Sequence, residues 1–167
     1  MIELSTRRLT LIPLNAAHLK LLIAHQKGLA VELSLSKSEV FLDEELRQAL
    51  KFRLSKLLED ERNYIWHTNW LIVLKDENCT VGGIMIKGLP NEKGEVVIGY
   101  YTLVPYQGNG YMTEAIDTMK NWLLSQSEVM YVIADTEKDN IASYKVLEKA
   151  GAELFKETAE LYFWRFF

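Results

Sequence analysis

The apolar positions of this chain change period several times, and each change marks an element. Arg8-Leu9-Thr10-Leu11-Ile12 reads as a first strand, ended by Pro13. Asn15 then offers a side-chain cap to a helix with Ala16, Leu19, Leu22 and Ile23 on one face. A second helix is expected from near Asp43, with Leu46, Ala49, Leu50, Leu54, Leu57 and Leu58 inward and Glu45, Arg47, Lys51 and Lys56 in water. From Trp70 the spacing becomes that of strands. Leu71–Leu74 runs into a turn at Asp76–Asn78, Thr80–Lys87 returns, Gly88–Gly94 turns again, and Glu95–Val104 follows. Connections this short force antiparallel neighbours. Helical spacing resumes at Met112, Ala115, Ile116, Met119, Trp122 and Leu123. Then come a strand at Val129–Ala134, a helix at Asn140–Ala150 closed by Gly151, and strands at Glu153–Lys156 and Glu160–Phe167. The pattern describes one α/β domain over residues 1–167, built on a mixed sheet.

Composition narrows the function classes. Apolar residues make up 49% and charged residues 25% of the 167, which is ordinary for a globular domain. A formal net charge of −4 argues against nucleic acid as a partner, which calls for a basic face. No run reaches the roughly 18 apolar residues of a membrane span, and the polar start lacks a signal-peptide core, so a cytoplasmic location is expected. Cys79 is the single cysteine and His18, His25 and His67 are scattered, so no metal is expected. His18 and His25 are read as solvated or core-edge, Trp66 and Trp70 as core, and Lys51, Arg53 and Lys56 as helix surface. The closing Phe163–Phe167 run is either a core strand or the contact of a homodimer.

The segment VPYQGNGYMTEA, Val104 to Ala115, carries the candidate chemistry. Pro105 stops strand pairing, and Gln107 to Met112 lead directly into a helix. Amides at a helix start have no partner within the helix and lie at the positive end of its dipole. Gly108 and Gly110 remove side chains that would hold a ligand away. The stretch is therefore either an anion cradle suited to pyrophosphate or a plain turn. A P-loop would need Lys and Ser or Thr where Tyr111 and Met112 stand. A dinucleotide fingerprint would need glycine at Thr113 and a parallel unit ahead of it, where an antiparallel meander lies.

These residues also carry a resemblance. The loop resembles the acetyl-CoA signature Gln/Arg-x-x-Gly-x-Gly/Ala of the GNAT acyltransferases. Ala134 to Ser143 and Val146-Leu147-Glu148-Lys149-Ala150-Gly151 resemble the Asn-x-x-Ser and Val-Leu-Glu-Lys-x-Gly blocks of one branch, that of the ribosomal-protein N-terminal (alanine/serine) acetyltransferases. Thr6-Arg7-Arg8-Leu9 and Val81-Gly82-Gly83 match its opening and middle, so the ordered blocks span nearly the whole chain. Three positions depart from the pattern. Met112 stands for the last Gly or Ala of the signature, Ala152 for the Phe after Gly151, and Leu147 for the tyrosine that many members use as an acid.

The resemblance implies a GNAT-like fold, a central mixed, largely antiparallel twisted sheet of six to seven strands flanked by about four helices. It implies acetyl-CoA as co-substrate, its arm lying between splayed strands Glu95–Val104 and Val129–Ala134. Leu103 and Val104 would pair with the arm. Gln107, Gly108, Asn109, Gly110, Tyr111, Met112 and Thr113 would form the pyrophosphate loop, and Asn140 would contact the arm, or cap its helix, or both. Ser143 is the candidate acid by family position, with bonding to its own helix backbone as the alternative. Glu95 is the candidate base, with a solvated strand-end glutamate, His67 or an ordered water as alternatives. The implied reaction acetylates a primary amine, foremost a protein N-terminal α-amine. A polyamine or aminoglycoside acceptor, or a non-catalytic acyl-CoA-binding module, are the other readings.

Overall fold

A computed structural model describes residues 2–37 and 40–167. Eight strands form one sheet in the order β1-β2-β3-β4-β5-β6-β8-β7. In the chain they are β1 (Leu4–Ser5), β2 (Leu9–Pro13), β3 (Asn69–Leu74), β4 (Cys79–Ile86), β5 (Glu95–Thr102), β6 (Tyr131–Glu137), β7 (Glu153–Glu157) and β8 (Leu161–Phe166). Among the described residues there are five α-helices: α1 (Ala16–Ala24), α2 (Gln26–Glu32), α3 (Glu44–Glu59), α4 (Tyr111–Leu124) and α5 (Ile141–Lys149). Every neighbouring strand pair is antiparallel except β5 and β6. The mixed, largely antiparallel α/β architecture agrees with the expectation, with β1 and α2 in addition. β1 has only two residues, too few to show a period.

Strand alternation sends β3 into two cores. Trp70, Ile72 and Leu74 face the layer of α4 and α5, while Leu71 and Val73 face α1 and α3. Asn15 and Asp43 cap α1 and α3, accepting from the N–H of His18 and Leu46 at 2.9 and 2.8 Å. His25 breaks the first helix in two: its Nδ1 accepts from the Gly28 N–H at 2.9 Å and starts α2. His18 is buried. Two surface assignments on α3 change places. Leu58 is exposed, whereas Arg53 is buried beneath the helix, and burial lowers its guanidinium pKa below the ordinary value. The long aliphatic stem of arginine makes such a position tolerable.

The closing run is a core strand. Trp164 and Phe166 are buried in β8 and only Phe167 stands out. No helix among the described residues is long and apolar enough to cross a membrane.

The β5–β6 seam positions everything that follows. Three rungs join these parallel strands, Glu95 to Tyr131, Val96 to Val132 and Val97 to Ile133. β5 continues to Thr102 and β6 to Glu137 without further pairing, so a gap opens toward their C-terminal ends.

Candidate active site

The glycine loop stands at the mouth of that gap. β5 ends, Val104–Tyr106 makes a 3-10 turn, and Gln107 leads to Gly110, which begins α4. Gly108 and Gly110 have φ of +78° and +77°, left-handed values that cost a side-chain-bearing residue about 1–2 kcal/mol. A Cβ on Gly108 would meet nothing within 4 Å. Conformation, rather than crowding, requires glycine there. Among the described residues, the amides of Gly108, Asn109, Gly110, Tyr111, Met112 and Thr113 donate to no protein acceptor. Successive free amides bracketing left-handed residues form a concavity for an anion, and the helix dipole adds to it. The Met112 side chain is buried in the core, so it does not crowd the loop as its size suggested.

The loop is braced from within and from behind. Gln107 Nε2 donates to the Thr102 carbonyl at 3.1 Å, and Asn109 Nδ2 donates to the carbonyls of Tyr106 and Gln107 at 3.1 and 3.2 Å. From behind comes Arg8. Its Nε donates to Glu114 Oε2 at 2.7 Å, its backbone N–H to Glu114 Oε1 at 2.9 Å, and its guanidinium lies 4.6 Å from the Tyr111 ring centre. Thr6 Oγ1 donates to the same Glu114 at 2.5 Å. Partial burial alone would raise the Glu114 pKa. The hydrogen bonds from Thr6 and Arg8, with the Arg8 charge, outweigh it and hold the carboxyl below its ordinary value.

The strand edge differs in detail from expectation. Leu103 donates to the Val81 carbonyl at 2.9 Å and accepts from the Tyr106 N–H at 2.9 Å. Its N–H is committed to β4 and its carbonyl already accepts one bond, which leaves a single carbonyl lone pair for the expected pairing with the arm. Alternation across the β4–β5 ladder instead turns the backbone of Tyr100 and Thr102 toward the gap. The Val104 N–H has no acceptor among the described residues.

On the far side of the gap, Asn140 caps α5, its Oδ1 accepting from the Ser143 N–H at 3.2 Å. The hydroxyl of Ser143 donates to Tyr100 Oη at 3.0 Å, and Tyr100 donates to the Ser143 carbonyl at 2.8 Å. Burial, above all, pushes the Tyr100 pKa up to about 12, so the phenol stays protonated. Sequence reasoning missed Tyr100. The available signal was alternation in β5, which puts it on the face of Val96 and Ile98, toward α5. Leu147 is fully buried in the core of that face.

Glu95 is not brought to this place. It lies on the first rung of the seam, and its Oε2 accepts from Asn91 Nδ2 at 2.8 Å. Five residues of strand separate it from Tyr100, about 16 Å at the usual rise. His67 Nε2 sits 3.4 Å from Asp60 Oδ2, beside α3. A cavity of about 960 Å³ is lined by residues of α1 and α2, by His25 between them, by the segment from Ser34 to Lys37 and by Arg47 of α3, with none from β5, β6 or α5. Among the described residues, no group of three or more His, Cys, Asp or Glu could hold a metal ion.

A sheet parted at one parallel seam, with a glycine-led helix at the mouth of the gap, is the arrangement of an acetyltransferase domain. Residues 8–153 match the acetyltransferase (GNAT) domain family, and the chain belongs to it. Acetyltransferases of this family use acetyl-CoA as acyl donor. The uncharacterized N-acetyltransferase YjdG of Bacillus subtilis (strain 168) is 40% identical over 96 residues, 58% of this chain and 57% of that protein. The chain thus spans about half the length of the curated relatives it matches. Among solved structures, the ribosomal L7/L12 alpha-N-protein acetyltransferase RimL in complex with coenzyme A aligns with TM-score 0.69 and 16% identity, covering 98% of this chain and 97% of that one. The ribosomal-protein-S5-alanine acetyltransferase from Vibrio fischeri aligns with TM-score 0.69 and 15% identity, covering 99% and 96%. At such identity these two likenesses show the fold alone.

Proposed function

We propose that this chain transfers the acetyl group of acetyl-CoA to a primary amine, and that the acceptor is the α-amine of a protein N-terminus. The observation that carries the reading is the run of free amides from Gly108 to Thr113 at the mouth of the β5–β6 gap. In this reading those amides and the Arg8-braced loop hold the diphosphate. The strand edge at Thr102 and Val104 meets the amides of the pantetheine arm, and Asn140, its Oδ1 committed to the cap, offers Nδ2 to the same arm. Acetyl-CoA supplies an activated acyl group; the chain supplies position and hydrogen-bond donors.

The acceptor follows from the cost of deprotonation. An α-amine has a pKa of about 7.7–8.0, so its neutral form costs about 1 kcal/mol at pH 7. A lysine side chain, near 10.4, costs about 4–5 kcal/mol and needs a strong base close by. With Glu95 tied to Asn91 beside the closed seam, the proposed reaction sends the amine proton to water. RimL and the Vibrio fischeri protein are named for ribosomal-protein acetylation, which favours a protein acceptor here too.

The test measures release of free thiol from acetyl-CoA with a panel of acceptors. Peptides beginning with free Ala or Ser should stimulate it, and Nα-blocked peptides containing lysine should not. Stimulation by polyamines or aminoglycosides alone would replace the acceptor. Calorimetric CoA binding with no stimulated release by any amine would make the chain a binding module.

A further inference from the structure

We propose that Tyr100 is the positioning residue of Ser143, presenting the serine hydroxyl to a departing sulfur in the β5–β6 gap as a donor backed by a second O–H. The inference rests on the acetyl-transfer reading above.

Three observations carry it. First, a serine inside a helix commonly turns its hydroxyl back to a carbonyl of its own helix. Ser143 instead donates across 43 residues of sequence to Tyr100. Second, Tyr100 lies just past the last rung of the seam at Val97, with its ring packed against the core beneath α5. The hydroxyl pair therefore joins β5 to α5 beyond the last rung of the seam. Third, Leu147 fills the place of the tyrosine acid that the family pattern would put on α5, and it is wholly buried. The phenol at this site arrives from β5 instead.

The pair can change state without moving a heavy atom. At rest Ser143 donates to Tyr100, and Tyr100 donates to the Ser143 carbonyl at 2.8 Å. When the serine hydrogen turns to sulfur, the tyrosine hydrogen swings from that carbonyl to Ser143 Oγ, already at 3.0 Å. Two hydroxyls in series polarise one another, and the terminal donor is the stronger for it. The nitrogen lone pair forms the C–N bond, the C–S pair leaves on sulfur, and the amine proton passes to water. Ser143 and Tyr100 keep their protons and exchange only hydrogen-bond partners. Burial, which holds the phenol neutral, suits it to this donor role.

The experiment titrates the thiol of CoA bound to the protein, followed by thiolate ultraviolet absorbance. Loss of the second hydroxyl in Tyr100→Phe should raise the bound thiol pKa by about half a unit to one unit. Ser143→Ala should raise it at least as far, and the double variant no further than Ser143→Ala. A wild-type titration in Tyr100→Phe, or shifts that add in the double variant, would overturn the proposal. In turnover, Tyr100→Phe should lower kcat about 3- to 10-fold with KM for acetyl-CoA within about twofold. An unchanged kcat also overturns it. Should the phenylalanine variant be unstable, fluorotyrosine incorporation leaves each contact in place and acidifies the phenol. The bound thiol should then titrate lower, and the effect should vanish in Ser143→Ala; an unmoved titration would refute the coupling. A wild type that binds CoA, shows these thiol shifts and acetylates no amine would sink the acceptor reading while leaving the hydroxyl pair intact. Absence of CoA binding would remove both.

Discussion

Arg8 Nη1 donates to the carbonyl of Asn109 at 2.9 Å, gripping the one residue that stands between the two left-handed glycines. With Glu114 on its Nε, the guanidinium ties the start of β2 to both ends of the loop turn. The loop's amides are thus aimed before any ligand arrives, and that order need not be created on binding. Arg8→Met should weaken CoA binding about 5- to 10-fold by calorimetry, with kcat at saturating acetyl-CoA within about twofold. The magnitude is that of a charge-assisted hydrogen-bond set, reduced for an arginine that is partly exposed. Arg8→Lys should recover little, since one ammonium cannot span the Asn109 carbonyl and Glu114 together.

Gly108→Ala isolates conformation from crowding, because the new methyl has empty space around it. We expect about 1–2 kcal/mol of destabilisation, or about 2–8 °C in Tm for a domain of this size. Gly108→Asn should lose less, since asparagine visits the left-handed region more readily. Differential scanning calorimetry of the two variants checks the order.

Ser143→Ala and Glu95→Gln should part company. The first removes the hydrogen-bond donor proposed at the gap, and kcat should fall about 10- to 100-fold, the worth of one hydrogen bond to a developing charge. The second trades one partner of Asn91 for another at the closed end of the seam, and kcat should stay within about twofold. A large loss in Glu95→Gln would restore it as the base.

Acid should loosen the loop through Glu114. Its folded-state pKa lies below the ordinary carboxylate value, so its contribution is complete above the unfolded value, about 4.3, and is lost as pH falls through the folded one. Glu114→Gln should be less stable than wild type at pH 7, and the difference should shrink below about pH 4. Thermal melts of both proteins from neutral to acidic pH measure it.

Local signals made much of this fold legible. Asn15, Asp43 and Asn140 announced three helix starts because a cap acts within three residues of its own position. The β3–β4–β5 meander followed from short turns. α2 escaped notice because it is brief, contains Gly28, and starts on a histidine acting as a cap. Arg53 was misplaced because its neighbours on α3 are solvated, and its burial is decided by what lies across the sheet. Two glycines before a helix made the glycine loop readable as either an anion cradle or a plain turn, and its left-handed backbone was readable in both. Its bracing was not, because Arg8 and Glu114 are 106 residues apart. Tyr100 and Ser143 likewise meet only once β5 and α5 are stacked. The commitment of the Leu103 N–H was hidden for a subtler reason: which edge of a strand a residue's amide faces depends on register, and register is fixed by the partner strand.

The seam of three rungs is the short join of the sheet, and α4 and the Tyr100–Ser143 pair are further ties across it. The loop lies on one side of that join and Ser143 on the other, so the separation between anchor and donor is set by these few ties together. An extended guest lying between the two sides acts as a splint, and the unguested molecule is the looser one. Heat should therefore spring the joint at lower temperature in the empty protein, and occupancy by the guest can be read from the melt itself.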